Sequence, residues 1–189
     1  MCRNSSFHRT MLIGAKNMKL ILSDRPLSFS IPAEGIRYFD LSSQQISNCV
    51  GCFGCWTKTP GRCVIRDDAT RIYPCIAASD TLLYVSRVRY GSYDVPMKTM
   101  LERAIPVQQA FIRVHCRETH HVQRAVLPKK ATILAYADTM IEEEERQIFR
   151  QLVRRNAYNM NLESFEILFT TESQVDGLAH EIVAQWEKF

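Results

Sequence analysis

Cys49, Cys52, Cys55 and Cys63 place four of the chain's seven cysteines within fifteen positions. Thiolates bind soft metal ions and exchange with disulfides, so such a group is a candidate site for either chemistry. Two residues separate Cys49 from Cys52 and Cys52 from Cys55, and Cys63 follows after seven more. Successive two-residue gaps let a compact loop wrap a cubic iron–sulfur cluster, with the fourth thiolate completing it. Structural zinc more often uses two separate knuckles with a longer gap between them. Close thiols without metal form a reversible disulfide or simply hold a loop. The three alternatives stay open at this point. Gly51, Gly54 and Gly61 allow the tight turns that converging thiolates need.

Other residues carry weaker signals. His120 and His121 lie in a long segment between a helix and a strand, where a lid could sit; a solvated loop pair is the simpler reading. Glu142 to Glu145 read as the exposed first turn of a helix, not as a metal site. Tyr90 and Trp56 are candidates for stacking on an aromatic ligand, with Trp56 equally suited to bracing the cysteine loop. Cys75 reads as a buried helix residue and Cys116 as a loop thiol.

The elements that must position these residues alternate. "KLILS" (19–23) and "GIRYFDL" (35–41) are short strands. "DDATRIYPCIAASD" (67–80) opens a helix on two aspartates, with Pro74 predicting a break or a late start. "TLLYVSRV" (81–88) and "ATILAYA" (131–137) are apolar runs typical of strands covered on both faces. In "VPMKTMLERAI" (95–105), Met97, Met100, Leu101 and Ala104 follow the helical period. Residues 141–160 form an amphipathic helix, acidic at its start and with Arg154 and Arg155 toward its end. "SFEILFTT" (164–171) and the segment after it close the chain as strand and helix. This alternation predicts right-handed crossovers onto a parallel sheet. Five strands predict an α/β, flavodoxin-like doubly wound sheet of order 2-1-3-4-5, with its ligand site beyond the carboxyl ends of the strands. Only about a dozen residues, with Pro26 and Pro32 among them, join the first two strands, so the first crossover is too short for a full helix.

Bulk properties set the class. The 189 residues make one ordinary domain, with residues 1–17 read as an N-terminal extension and 18–189 as the folded unit. With 46% hydrophobic and 23% charged residues, the composition is that of a globular protein. A net charge of +4, spread along the chain, argues against a nucleic-acid partner. No apolar run reaches the roughly 18 residues of a membrane helix. An odd cysteine count without a secretory pattern fits a reducing cytoplasm.

The stretch "CVGCFGCWTKTPGRCVIRDD", followed by "SRVRYGSYDVPMKTMLERAI" and "THH", resembles the flavodoxin-like NADPH-dependent FMN reductase superfamily. Within it, the chain is most similar to the cysteine-rich branch that includes the iron–sulfur flavoproteins. The resemblance runs from about Met18 to the C-terminus. It implies that Ser86, Arg87, Val88, Arg89, Tyr90 and Gly91 form the turn presented to the isoalloxazine ring, with Arg87 where the family often has proline. It implies a [4Fe–4S] cluster on Cys49, Cys52, Cys55 and Cys63, which match the family's motif. It also implies FMN, NAD(P)H as electron donor, a small-molecule acceptor such as a quinone or free flavin, and a homodimer. The family's phosphate loop is replaced by "SDRPLSFSIPAEG", in which Ser23, Arg25, Ser28 and Ser30 could still gather a phosphate, Arg25 through paired charged hydrogen bonds. Two functions follow as expectations: an FMN-containing oxidoreductase, or a flavodoxin-like domain that has lost FMN and senses metal or redox state through its thiols.

Overall fold

The computed structural model describes residues 18–186, so the reading of residues 1–17 as an extension lies outside the described residues. Five parallel strands form the central sheet: β1 (Lys19–Ser23), β2 (Ile36–Asp40), β3 (Thr81–Arg89), β7 (Lys129–Ala137) and β8 (Leu162–Thr171), in the order β2-β1-β3-β7-β8. Counting only these five, the order is 2-1-3-4-5, the doubly wound flavodoxin-like arrangement. A two-residue strand β4 (Ser92–Tyr93) folds back antiparallel on β3, and a separate hairpin is made by β5 (Gln108–His115) and β6 (Glu118–Gln123). The helices are α1 (Gly54–Thr57, a single turn), α2 (Ala69–Ala78), α3 (Val95–Glu102), α4 (Glu143–Asn159) and α5 (Val175–Trp186).

The central strands are apolar because both faces are covered. One face packs Leu20, Leu22, Leu82, Tyr84 and Ile133 against α2, α3 and α4 through Ile72, Met97, Met100, Phe149 and Val153. The other packs Ile21, Leu83, Val85 and Leu134 against Val175, Ala179 and Val183 of α5. No helix joins β1 to β2. Instead Leu27, Phe29 and Ile31, at alternate positions of an irregular segment, pack against the core on the α5 face.

Three local expectations need correction. Pro74 lies inside α2 without ending it, because its ring is on the exposed side while Ala69, Ile72, Tyr73 and Ile76 anchor the inner face. The segment around His120 and His121 is not a solvated loop but strand β6, with His120 buried. Its turn, Cys116–Arg117, has φ of +51° and +65°, which closes a two-residue hairpin of the primed type. Cys75 is half-buried rather than buried.

The same turn geometry occurs at the end of β3. Tyr90 and Gly91 have φ of +53° and +68°, and β3 pairs with β4 through Val88–Tyr93 and Arg89–Ser92. A side chain at Gly91 would meet Ile148 of α4, its Cβ lying 2.5 Å from Cγ2, so glycine lets this hairpin press against α4.

Candidate functional site

A buried carboxylate lies at the switch point, just beyond the carboxyl end of β1. Asp24, the first residue after β1, is 8% exposed. It accepts the Arg87 backbone N–H at 2.6 Å, the Tyr136 hydroxyl at 2.8 Å and the Ser86 hydroxyl at 3.2 Å. Burial pushes its carboxyl above the usual carboxylate range in spite of these donors. Burial likewise raises the Tyr136 hydroxyl, and the neighbouring Asp24 adds to the rise.

Outside Asp24 lies a ring of alternating charge. Arg87 is paired with Asp138 and, at 2.8 Å, with Glu172. These partners hold its proton more tightly than usual, the Asp138 bond most of all. Arg25 faces Glu172 at 3.5 Å and Asp176 at 3.6 Å. Ser23 Oγ donates to the Arg25 carbonyl at 2.6 Å, and the Ser28 backbone N–H donates to Asp176 at 3.4 Å. Ser23, Arg25, Ser28, Ser86 and Arg87 are thus gathered at one end of the sheet. Their donors face protein carboxylates or carbonyls.

The remaining residues of the β3 turn point elsewhere. Val88 is core, and Arg89 pairs with Asp94 at 3.1 Å. The Gly91 N–H donates to Glu145 at 2.9 Å. Tyr90, 95% exposed at the tip, presents a free aromatic face.

The cysteine segment folds as one closed loop after β2. Its base is tied where the Ser47 N–H donates to Asp67 at 2.9 Å and the Gln45 N–H to Asp68 at 2.8 Å. Arg103, at the end of α3, locks that base: it is 1% exposed and donates to Asp67 at 2.6 and 2.9 Å, to the Ser47 carbonyl at 2.6 Å and to the Cys63 sulfur at 3.4 Å. Burial alone would raise the Asp67 carboxyl, but Arg103 and the Ser47 and Ala69 N–H groups outweigh it and hold it below its ordinary value. At the outer end of the loop, Trp56 donates its indole N–H to the Gln108 carbonyl at 3.1 Å and packs between Phe53 and His121. Trp56 therefore braces the loop.

Cys49, Cys52, Cys55 and Cys63 all line one cavity of about 30 Å³ under this loop. Burial pushes the Cys55 thiol up, and the nearby Cys63, Cys49 and Cys52 add to the rise, so the four form one electrostatic neighbourhood. All four are free thiols. Among the described residues, no three His, Cys, Asp or Glu side chains form a group that could hold a metal ion. The thiol set suits iron–sulfur chemistry, but a cavity of about 30 Å³ has room for about a single water. A cubic cluster fits only if the exposed stretch from Cys49 to Phe53 moves outward.

A larger cavity, of about 400 Å³, opens between α3 and α4, and Cys49 and Ile105 line both. Sequence reasoning missed Asp24, Asp67, Arg103 and this cavity, whose parts come from distant stretches with no motif.

No protein-family model matches the chain. An iron–sulfur flavoprotein of Archaeoglobus fulgidus is 36% identical over 66 residues, covering 35% of this chain and 29% of that protein. An iron–sulfur flavoprotein of Clostridioides difficile is 23% identical over 150 residues, covering 78% of this chain and 64% of the relative. The chain therefore matches less than two thirds of either relative's length. Among solved structures, an FMN-dependent NADH-azoreductase from Bacillus anthracis, in complex with FMN, superposes with a TM-score of 0.58 at 10% identity, covering 90% of this chain and 97% of the other. The chain has the flavodoxin-like fold. Among the described residues, no helix is long and apolar enough to cross a membrane.

Proposed function

We propose that this chain is a flavin-linked oxidoreductase that takes electrons from NAD(P)H and passes them to a quinone, a free flavin or a similar acceptor. The observation that carries the reading is the convergence of Arg25 and Arg87 on the switch point of this fold. A cytoplasmic homodimer goes with the same reading.

The donors fit an FMN phosphate by exchange of partners. The Arg25 bonds to Glu172 and Asp176 are long and lie at a partly exposed surface, so a phosphate replaces them without stranding a buried charge. Arg25 and the Ser28 N–H would hold that phosphate, Asp24 would keep the β3 turn fixed beneath it, and the exposed Tyr90 ring offers a stacking face. Bound there, FMN would supply hydride acceptance from the nicotinamide and electron delivery to the acceptor.

FMN titration tests this reading. Arg25→Ala should weaken binding by about 1.5–3 kcal/mol, the worth of a hydrogen bond to a charged group. Unchanged affinity would remove Arg25 from the site.

A second reading, a flavin-free domain acting through its thiols, is favoured by the charge at the switch point. Four acidic side chains, Asp24, Asp138, Glu172 and Asp176, surround two arginines, a setting that repels a phosphate dianion unless partners exchange. Absence of FMN binding by the wild type would favour it.

In both readings the four cysteines act as one unit. Anaerobic reconstitution with iron and sulfide, followed by metal analysis, separates metal-free thiols from a cluster. We expect no retained iron and four titratable thiols in the loop. About four irons per chain, lost in Cys52→Ser, would establish a [4Fe–4S] centre instead.

A further inference from the structure

The β5–β6 hairpin stands apart from the central sheet. Its inner strand, β6, is seated on α4. His120 Nδ1 lies 3.1 Å from the Asn159 side-chain oxygen, the His120 ring packs against Tyr158, and Gln123 donates to the Tyr158 carbonyl at 2.7 Å. β5 is the outer strand. Among the described residues no strand pairs with its other edge, and Phe111, Ile112 and Val114 are 71%, 66% and 80% exposed. Proteins commonly guard such an edge with charged side chains. From Gln109 to Val114 the one charged residue is Arg113, and its guanidinium turns back across its own hairpin to Gln123 at 2.7 Å. The apolar surface continues onto the cysteine loop. Ile112 lies opposite His121 and Val114 opposite Thr119, so these four share one face of the hairpin. There the Trp56 ring centre lies 4.6 Å from that of His121 and 5.5 Å from that of Phe53. Phe53 and the nearby Val50 are 56% and 71% exposed.

We propose that a second copy of this chain docks on this surface, its β5 running antiparallel beside this β5 across a two-fold axis, so that the two hairpins close into one four-stranded sheet. The backbone groups along the free edge supply the hydrogen bonds, as in strand addition generally. Two-fold pairing uses each free edge once, so association stops at two copies. Setting Ile112 against the partner's Ile112 makes an apolar centre and keeps the two Arg113 guanidiniums out of direct opposition. Opposed residues share a face, and successive residues alternate between faces. Both cysteine loops, reached through His121, therefore lie on one side of the joined sheet, and both α4 helices, reached through His120, on the other. The exposed area suits a second copy. Phe111, Ile112, Val114, Phe53 and Val50 together would remove on the order of 1,400 Å² over two copies, within the roughly 1,200–2,000 Å² of stable interfaces. The inference deepens the homodimer that goes with the flavin reading by naming its surface, while the surface itself needs no flavin. It brings the exposed stretch from Cys49 to Phe53 to the boundary between copies.

Light scattering on the full chain, without added flavin and kept reduced so that no disulfide joins the copies, measures the mass. Twice the 21.8 kDa of one chain is expected. Ile112→Lys and Val114→Asp, at exposed positions that leave the core untouched, should each raise the dimer Kd at least tenfold, with circular dichroism confirming that the variants fold. Met140→Lys, at an exposed apolar residue beyond the other end of α4, should leave the mass unchanged. Cys49 and Cys52 should react faster with a thiol reagent in Ile112→Lys than in the wild type. Arg25→Ala should remain a dimer, so failure of the flavin reading and failure of this one are distinguishable. A monomeric wild type at its highest soluble concentration, a dimer unchanged in both folded hairpin variants, or open-ended polymers in place of a closed dimer would overturn the proposal.

Discussion

Arg103→Met is expected to lower the unfolding free energy by about 3 kcal/mol, the low end of the cost of breaking a buried ion pair from one side. The guanidinium is 1% exposed and holds both Asp67 oxygens, so its loss leaves a carboxylate that is itself only 12% exposed without its charge partner. The Ser47 and Ala69 N–H groups still support Asp67, which keeps the cost toward the low end. The pH dependence follows from the lowered Asp67 pKa. A carboxylate held below its unfolded value contributes stability that is present above that value, near 3.8, and lost as pH falls through the folded one. Wild type should therefore lose this contribution on acidification below about pH 4, and the variant should lack it at neutral pH. Urea unfolding at two pH values checks both. Because Arg103 also ties down Ser47, Ile65 and Cys63, the variant's loop thiols should react faster with a thiol reagent. A change in stability within 0.5 kcal/mol of zero would contradict the role given to this residue.

Asp24→Ala is expected to cost about 2–6 kcal/mol, because two donors lose their acceptor at roughly 1–3 kcal/mol each. Those donors are the Arg87 N–H and the Tyr136 hydroxyl; Ser86 retains the Arg87 carbonyl at 3.1 Å. Here the sign with pH is opposite to that of Asp67. Burial raises the Asp24 pKa, so its titration favours the fold fully below the unfolded value near 3.8 and loses that contribution as pH rises through the folded pKa. The gap between wild type and Asp24→Ala should accordingly be widest in acid and narrow as pH rises. Denaturant melts of both proteins from acid to neutral pH measure it. A gap that widens with pH would show the carboxylate to be stabilised, not penalised, by its surroundings.

The sheet was legible because burial on both faces writes itself as continuous apolar runs, and because the first crossover was too short and too rich in proline for a helix. The spacing of the four cysteines marked their segment as one unit, and they do line one cavity, but spacing left its chemistry open. The β5–β6 hairpin was not: its turn residues, Cys116 and Arg117, are not those that favour positive φ, and Phe111, Ile112 and Val114 point into solvent, so no hairpin signal or buried stripe marked it. Asp24 and Arg103 were hidden for another reason. A lone Asp after a strand and a lone Arg ending an amphipathic helix look solvated, and only the approach of Tyr136, 112 residues away, and of Asp67, 36 residues away, makes them buried and paired. The turn after β3 was legible as a segment, but its closure into a hairpin depends on Gly91 meeting α4, a contact that local sequence does not encode.

The central claim is that this chain carries a flavin that NAD(P)H reduces, and anaerobic visible titration of the wild type with FMN, followed by NADPH, tests it most directly. The account predicts saturation at one FMN per chain and bleaching of the bound flavin on adding the nicotinamide, faster than for free FMN. FMN that passes wholly into the filtrate, or bound flavin that NADH and NADPH bleach no faster than free FMN, would contradict it.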